Sequence, residues 1–411
     1  MSSPAPSYAA VLRAPHTGRV FGAALLGRLS YGMVPFAMML AVQDATGSYP
    51  VAGTVLALFG LASVLLSPAR AALVDRYGPR RALPPMAALY AGLLVLVAAT
   101  TWRPGAPPLL TGALVVAAGA CTPPLGPVMR TLWRRLLPDR ELLRRAYSLD
   151  TVAEELLFVS GPLLVGLLLT VAGPTAGVAA GAGLVLTGTL ALVSSPAARE
   201  ADRTGPAAPG ARPEGGGELR RVVLASATTG LALGALDLMV VAFAEERGRA
   251  GAAAWILAAL SAGSAVGGLA HGAVAWSAPN RARLPLLAAG LGLALAGAGL
   301  APNLPVLTAA VALAGLFVSP VVTTAYLIAD ETAAPRARTR AGAWVNTAFN
   351  AGSAGGTATI GLLVDRLPLP LCFALAAAPT LLSAASAARR LRESAGDEAP
   401  RTPTTGPDRP L

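Results

Sequence analysis

A few charged side chains lie inside long apolar stretches of this sequence, where water is scarce. Charged groups in such surroundings are costly, so they usually pair with one another, carry protons or bind a ligand. A buried carboxylate can exchange a proton, because burial disfavours its ionised form whereas a neighbouring arginine favours that form. The candidates for this chemistry are Arg28, Asp150, Glu154, Glu155 and Asp237.

Glu154 and Glu155 are adjacent, so on a helix they point about 100° apart and cannot both face the same neighbour. The second half of the chain offers a comparison. A shift of 195 residues places Thr151 on Asn346 and Glu155 on Asn350, which lie four residues apart on one polar helix face. The same shift places Glu154 on an apolar face. We therefore predict that Glu155 points into the protein and that Glu154 is more peripheral.

The elements that hold these side chains are apolar runs of about 20 residues, the length that a helix needs to cross roughly 30 Å of hydrocarbon. The chain is 54% hydrophobic and 13% charged, about half the charge of a soluble domain. The sequence therefore predicts an all-α polytopic membrane protein with twelve transmembrane helices. We place these spans near residues 20–42, 50–69, 82–101, 109–131, 147–171, 175–195, 222–244, 252–275, 285–301, 305–328, 341–364 and 369–388.

Arginines are distributed unevenly between the loops. Of the 32 arginines, 27 lie in the two tails, the central linker and alternate loops with their flanks, whereas four lie in the opposite loops. Cytoplasmic loops carry the excess of basic residues in membrane proteins. We therefore predict a multi-pass protein of the plasma membrane with both termini cytoplasmic. The net charge of +11 is therefore explained by the basic cytoplasmic loops that set the orientation in the membrane, and it does not indicate nucleic-acid binding.

The chain divides near its middle. Residues 196–221 are rich in proline, glycine and charge and have no apolar period, which is typical of a flexible cytoplasmic linker. We predict an N-terminal six-helix half (1–195), this linker (196–221), a C-terminal six-helix half (222–388) and a disordered tail (389–411). The halves read as repeats, because a shift of 201 residues places Arg80 on Arg281 and Pro84 on Pro285.

The loop after the second span has the sequence DRYGPRR, with charge concentrated around a glycine. Gly78 permits a tight turn. Asp75 ends a span and can accept hydrogen bonds from the unpaired N–H groups at the start of another helix, where the helix dipole is positive. Alternatively, Asp75 only balances the neighbouring arginines in a solvated turn.

Two sets of six spans, a central linker and this loop resemble the major facilitator superfamily over nearly the whole chain. In that family the loop aspartate contacts span eleven and latches the two halves together in one conformational state, so the resemblance implies this role here. The second copy of the motif is degenerate, because Trp276 stands where the aspartate is expected. The matching positions of the first copy are Leu73, Asp75, Arg76, Gly78, Arg80 and Arg81.

A second motif lies in span five, where Gly161 and Pro162 are followed by Gly166. It resembles the antiporter motif of the superfamily, which ends Gly-Pro-x-x-Gly-Gly, although Val165 stands at the first of the paired glycines. The resemblance implies a drug/proton antiporter-like efflux branch. Alternatively, these residues form an ordinary packing kink, because proline frees a carbonyl and small residues permit close helix approach.

Spans one and five are neighbours in the family fold, which implies a partner for one of the carboxylates. Arg28 and Glu155 both lie about 12 Å from the cytoplasmic ends of their spans, at 1.5 Å per residue. We predict a buried Arg28–Glu155 pair whose separation would let Glu155 take up a proton and couple protons to transport. Alternatively, the two residues form a permanent structural ion pair, and Asp237 is then the next candidate.

Polar and helix-distorting residues are expected at the substrate cavity: Gly161 and Pro162 in span five, and Asn346 and Asn350 in span eleven. The sequence PPLGP at 123–127 is expected to distort span four. Arg130 follows it and lies nearer the cytoplasmic end of that span, so no coupling role is assigned to it.

Other functional classes fit the residues poorly. A membrane enzyme needs a nucleophile with a base or a metal cluster, but the chain has two histidines and no Gly-x-Ser-x-Gly sequence. The sequence contains no phosphate-binding loop, and we expect no cofactor or metal. The resemblance implies a monomeric secondary transporter that exports a small organic compound in exchange for protons. The apolar spans, with few aromatic and charged residues, favour an amphipathic substrate over a sugar. A proton-coupled importer and a non-transporting sensor are the alternatives.

Overall fold

Long helices form the protein, because helices satisfy their backbone polar groups internally where no water is present. The computed structural model describes residues 7–203, 216–249 and 251–397. Within these residues every regular element is a helix. The first half contains α1 (Tyr8–Arg13), α2 (Thr17–Thr46), α3 (Tyr49–Tyr77), α4 (Pro79–Thr100), α5 (Pro108–Cys121), α6 (Leu125–Leu136), α7 (Arg140–Leu169), α8 (Pro174–Val193) and α9 (Pro196–Arg203). The second half contains α10 (Gly216–Glu246), α11 (Ala252–Ala273), α12 (Asn280–Ala298), α13 (Leu304–Thr332), α14 (Arg338–Leu363) and α15 (Leu369–Asp397).

Eleven segments of the described chain are long and apolar enough to cross a membrane, and they match the predicted spans one to ten and twelve. The predicted eleventh span is α14. Its 26 residues extend about 39 Å at 1.5 Å per residue, but its asparagine, threonine, serine and arginine side chains make it more polar. It packs against α10 and α3. The all-α multi-span fold class is confirmed.

Span four is broken at Pro123 and Pro124, as the sequence predicts. Proline donates no backbone hydrogen bond and disrupts the preceding helical turn. The break leaves carbonyl groups at the end of α5 without helical partners. The buried side chain of Arg70 donates hydrogen bonds from Nη1 to the carbonyl oxygens of Gly119 (3.0 Å) and Ala120 (2.8 Å). This arginine therefore stabilises the end of α5 and frees α6 to take its own direction.

The predicted linker is helical at both ends, which corrects its boundaries. Residues 196–203 form α9, in which Ala197 and Ala198 are buried against the first half, and α10 begins at residue 216. Residues 204–215 lie outside the described residues. The predicted tail also begins within a helix, since α15 continues past residue 388 to Asp397, and residues 398–411 are not described.

Glycines bring helices into close contact in both halves. A Cβ atom on Gly161 of α7 would collide with the backbone of Gly32 in α2, and one on Gly356 of α14 would collide with the carbonyl of Leu231 in α10. Small residues at such crossings let the backbones approach one another. The contact between α2 and α7 places opposing faces of these helices within reach of each other's side chains.

Candidate functional site

The interior of the first half holds two arginines and two carboxylates that contact one another, and we call these four residues the charge network. Arg28 of α2 lies 2.7 Å from Asp150 (Nη1 to Oδ1) and 3.0 Å from Glu154 (Nη2 to Oε2), both on α7. Arg130 of α6 lies 3.2 Å from Asp150 (Nε to Oδ2) and also contacts Glu154 through Nη2. Two positive and two negative charges make the network neutral overall.

Burial differs sharply within the charge network. The side chains of Arg28, Arg130 and Asp150 are 2%, 4% and 0% exposed, whereas that of Glu154 is 27% exposed. Ions this deep persist only when they are paired, because removing them from water is expensive. Glu154 is therefore the member of the network that a proton or a ligand can reach from outside.

Three local features position the charge network. Asp150 and Glu154 are four residues apart and lie on one face of α7. The glycine contact between α2 and α7 brings Arg28 beside that face. The break in span four starts α6 as a separate helix, which turns Arg130 inwards. The guanidinium carbon of Arg130 also lies 3.6 Å from the ring centroid of Tyr326 in α13, so the network contacts the second half.

The predicted Arg28–Glu155 pair is wrong. Glu155 Oε1 accepts a hydrogen bond from Ser264 Oγ of α11 at 2.6 Å, and within the described chain Glu155 forms no ion pair. Thr151, on the same face of α7, accepts a hydrogen bond from Thr323 of α13 at 3.2 Å. This face of α7 is therefore directed at the second half, and the charges lie on the neighbouring face.

The repeat comparison failed for a physical reason. In α14 the positions matching Asp150 and Glu154 are Val345 and Phe349, whose apolar character suggested a peripheral face. That face packs inside its own half, since Val345 is buried and the backbone of Phe349 touches α10. In α7 the same inward face carries carboxylates, which two arginines neutralise.

The sequence predicts no coupling role for Arg130 and a peripheral position for Glu154, whereas both residues belong to the charge network. Residues 109–131 read as one continuous span in the sequence, whereas in the structure Arg130 lies on α6, a separate short helix. Charge balance is the sequence signal that indicates these partners, since the first half places two arginines and two carboxylates in apolar surroundings, where each charge needs an opposite one. Counting these charges together would have grouped them.

The predicted Asp75 contact is present. Its Oδ1 accepts a hydrogen bond from the backbone N–H of Thr339 (3.2 Å) and its Oδ2 from that of Arg340 (2.8 Å), at the start of α14. Gly78 has φ 84°, a left-handed value that glycine adopts readily, between α3 and α4. The remaining arginines of this loop are exposed: Arg76, Arg80 and Arg81.

Further polar contacts between the halves lie near the same end of the helices. We call this the arginine-rich end, and it carries the connections at 78, 137–139, 274–279 and 333–337. Arg134 of α6 pairs with Asp330 of α13, which also lies 3.5 Å from Arg338. Thr347 of α14 donates a hydrogen bond to the carbonyl oxygen of Val64 in α3 at 3.0 Å. In the described chain, the two halves are therefore joined towards the arginine-rich end.

The other predicted site residues lie outside the charge network, although the two asparagines are linked to it through Tyr326. Asp237 is exposed in the middle of α10 and, within the described chain, forms no ion pair. Asn346 Oδ1 accepts a hydrogen bond from the Tyr326 hydroxyl at 3.3 Å, and Asn350 Nδ2 donates one to the carbonyl oxygen of Asn346 at 2.8 Å. Pro162 lies within α7, which continues from residue 140 to 169. The described residues contain no group of three or more His, Cys, Asp or Glu side chains that could hold a metal ion.

Solved membrane transporters share this arrangement of helices. The human organic anion transporter MFSD10 (TETRAN) has a TM-score of 0.70 and 17% identity, over 93% of this chain and 100% of that one. A bacterial homologue of the iron transporter ferroportin, in an outward-facing state, has a TM-score of 0.68 and 14% identity, over 92% and 99%. The transporter FucP in its outward conformation has a TM-score of 0.62 and 16% identity, over 90% and 98%. At these identities the similarity shows a shared fold.

The sequence itself identifies the family. No sequence match to a curated protein is found. The sequence profile described as Major Facilitator Superfamily matches residues 20–223 and again residues 222–411, once for each half. The chain therefore belongs to the Major Facilitator Superfamily, a family of multi-pass membrane transport proteins.

Proposed function

We propose that this protein is a secondary transporter that exports a small amphipathic organic compound in exchange for protons by alternating access. The observation that carries the proposal is the charge network, which buries four ionisable groups in one half of the molecule. Such groups inside a membrane protein are typical of proton and substrate pathways. Membership of a transporter family supports transport itself, and the network supports a role for protons.

Glu154 is the residue that exchanges the proton in this proposal. It is the most exposed member of the charge network, and its carboxylate contacts both arginines. Protonation of Glu154 removes one of the two negative charges, so Arg28 and Arg130 share only Asp150. The network then carries one excess positive charge and its contacts weaken. A hydrogen-bond donor on the substrate competes with the proton for the same carboxylate, which is the condition for exchange.

The Gly161-Pro162 motif supports export through its place in the structure. Gly161 allows α7 to pack directly on Gly32 of α2. That contact holds the carboxylates of α7 beside Arg28. The antiporter-like motif and the charge network therefore depend on the same helix crossing. The apolar character of the surrounding spans favours an amphipathic compound.

Alternating access requires the contacts at the arginine-rich end to break and form again. We assign this end to the cytoplasm, because basic residues concentrate there. The Asp75 contact with α14 and the Arg134–Asp330 pair then act as latches of a state that is closed to the cytoplasm. Their loss opens the cavity to substrate from inside the cell.

The test uses purified full-length protein in proteoliposomes with ethidium, a fluorescent amphipathic cation, and a pH-sensitive dye inside the vesicles. When protons flow out of the vesicles down their gradient, wild-type protein should drive ethidium in the opposite direction, into the vesicles. Glu154→Gln should abolish gradient-driven movement but retain ethidium exchange across the membrane, because the amide resembles the protonated carboxyl group and still accepts hydrogen bonds but cannot release a proton.

Glu155→Gln is the matched control, since it removes the neighbouring carboxylate outside the network. It should retain gradient-driven transport. If Glu155→Gln abolishes coupling while Glu154→Gln does not, Glu155 is the proton-coupling residue, as the sequence predicts, but at the contact between α7 and α11 and not in a pair with Arg28. Movement of ethidium together with protons would indicate import, and no proton-dependent movement by wild-type protein would overturn the proposal.

A further inference from the structure

The two halves meet at two related interfaces near the arginine-rich end, α3 with α14 and α7 with α11. At the first, the carboxylate of Asp75 accepts hydrogen bonds from the start of α14. The shift of 201 residues that relates the halves places Trp276 at the position of Asp75. The second interface therefore lacks the internal anion that joins the first.

Basic side chains surround this second position, and we call them the basic cluster: Arg144 and Arg145 of α7, His271 of α11 and Arg283 of α12. All four are buried, with exposures of 8%, 8%, 4% and 7%. Several of their nitrogen atoms are buried without a hydrogen-bond partner: Nε and Nη2 of Arg144, Nε of Arg145, Nδ1 of His271, and Nε and Nη1 of Arg283.

These side chains are arranged around Trp276 and the end of α11. The Trp276 ring centroid lies 5.2 Å from that of His271 and 5.4 Å from the guanidinium carbon of Arg283. Arg145 Nη2 donates a hydrogen bond to the carbonyl oxygen of Ala273 at 3.0 Å. The cluster thus spans the boundary between the halves, because Arg144 and Arg145 belong to α7 and His271 and Arg283 to the second half.

The nearest acidic residues do not neutralise the basic cluster. Glu141 and Asp139 act electrostatically on Arg144, and Glu331 acts on Arg283. In the described chain, however, none of them forms an ion pair with either arginine. Arg144 and Arg283 also repel each other. Arg283 Nη2 donates a hydrogen bond to Asn280 Oδ1, but within the described residues the cluster has no anionic partner. Buried cations that lack a counterion are unfavourable, so negative charge from outside the chain would stabilise this site.

We propose that a phosphate-type anion binds in the basic cluster and takes the place that the Asp75 carboxylate has at the first interface. Three guanidinium groups and an imidazole offer more donors than one carboxylate can accept, and arginine pairs well with the several oxygens of a phosphate. The anion is either free in solution or the headgroup of a phospholipid. Trp276 is 40% exposed beside the cluster, where a headgroup would enter. Bound anion joins α7 to α11 and α12 and so stabilises the state that is closed at this end.

The first arm of the test measures the unfolding temperature of the purified full-length protein in a neutral detergent. Inorganic phosphate is titrated against chloride at equal ionic strength. The second arm measures the unfolding temperature in nanodiscs of phosphatidylcholine with and without phosphatidylglycerol. A saturable rise with phosphate identifies a free anion as sufficient, and a rise with phosphatidylglycerol alone identifies a lipid headgroup.

Arg144→Gln and Arg283→Gln should each raise the anion concentration needed for half-saturation by at least about tenfold, because each removes charge-assisted hydrogen bonds. Arg140→Gln is the matched control, since it removes an exposed arginine one turn earlier on α7. It should leave the titration unchanged.

Trp276→Asp provides a variant that should gain stability. Its carboxylate replaces the anion, so the unfolding temperature should rise in chloride alone and respond little to phosphate or phosphatidylglycerol. The proposal is overturned if neither anion stabilises wild-type protein. It is also overturned if Arg144→Gln and Arg283→Gln retain the full response, or if Arg140→Gln loses as much as they do.

Discussion

Helices α7 and α14 occupy corresponding places in the two halves, yet one face of each carries different chemistry. Both pack against the first long helix of their half through a glycine, Gly161 in α7 and Gly356 in α14. On α7 that inward face holds Asp150 and Glu154, whereas on α14 it is apolar. The backbone packing was therefore duplicated while the charges occur in the first half. Packing repeats across the halves, and proton chemistry in our proposal belongs to one of them.

The largest expected effect is on the charge network. Arg28→Met leaves Asp150 and Glu154 to share Arg130, and breaking a buried ion pair in this way costs about 3–5 kcal/mol. Thermal unfolding in detergent should show a large loss of stability. The control is Thr229→Val in α10, which removes a buried polar group of the second half and should cost much less. Similar losses in both variants would contradict the contrast between the halves.

Substitutions of Gly161 and Gly356 distinguish the helix packing, which both halves share, from the proton chemistry, which we assign to the first half alone. Gly161→Ala and Gly356→Ala should each destabilise the protein by about 1–3 kcal/mol, because the added methyl group meets backbone atoms. Only Gly161→Ala should also alter the pH dependence of transport, since it moves α7 relative to Arg28. Transport measured across a pH series in proteoliposomes checks this. An equal change of pH dependence in Gly356→Ala would extend the proton chemistry to the second half.

Loss of the Asp75 latch should have a smaller effect on free energy than the substitutions above, but it should change the transport rate measurably. A carboxylate at a helix N-terminus contributes on the order of 1 kcal/mol, up to about 2 when partly buried. Asp75→Asn should therefore shift the balance of conformational states several-fold and slow transport, while expression and substrate binding change little. Equal transport rates in variant and wild-type vesicles would return Asp75 to the role of balancing its neighbouring arginines.

The smallest effect is expected at Asp237. This carboxylate is exposed and has no ion pair within the described residues, so Asp237→Asn should change stability by no more than about 0.5 kcal/mol. Proton-driven transport should also be retained. Loss of proton coupling in this variant would place a titrating group in α10 and remove the proposed asymmetry.

Features set by composition could be predicted from the sequence. The spans and the break at Pro123 and Pro124 depend on hydropathy and on a missing donor, which are local. Helix-end polarity predicted only that Asp75 could accept hydrogen bonds from the start of some helix, and its partner, α14, was implied by the family resemblance. The partner of Arg28 could not be predicted, because adjacent residues point about 100° apart and a small error in helix rotation exchanges Glu154 for Glu155. Arg130 was missed because its depth depends on where α6 begins. Its partners become visible only when helices distant in sequence are placed together.

The broken fourth span also has a mechanical consequence. α6 contains 12 residues and is about 18 Å long at 1.5 Å per residue. With the proline pair as pivot and Arg70 fixing the end of α5, α6 can tilt as a rigid lever. A tilt of about 10° would displace its far end by about 3 Å over that length, enough to separate Arg134 from Asp330. The same rotation would carry Arg130 along, so α6 would transmit a change in the charge network to the contacts between the halves.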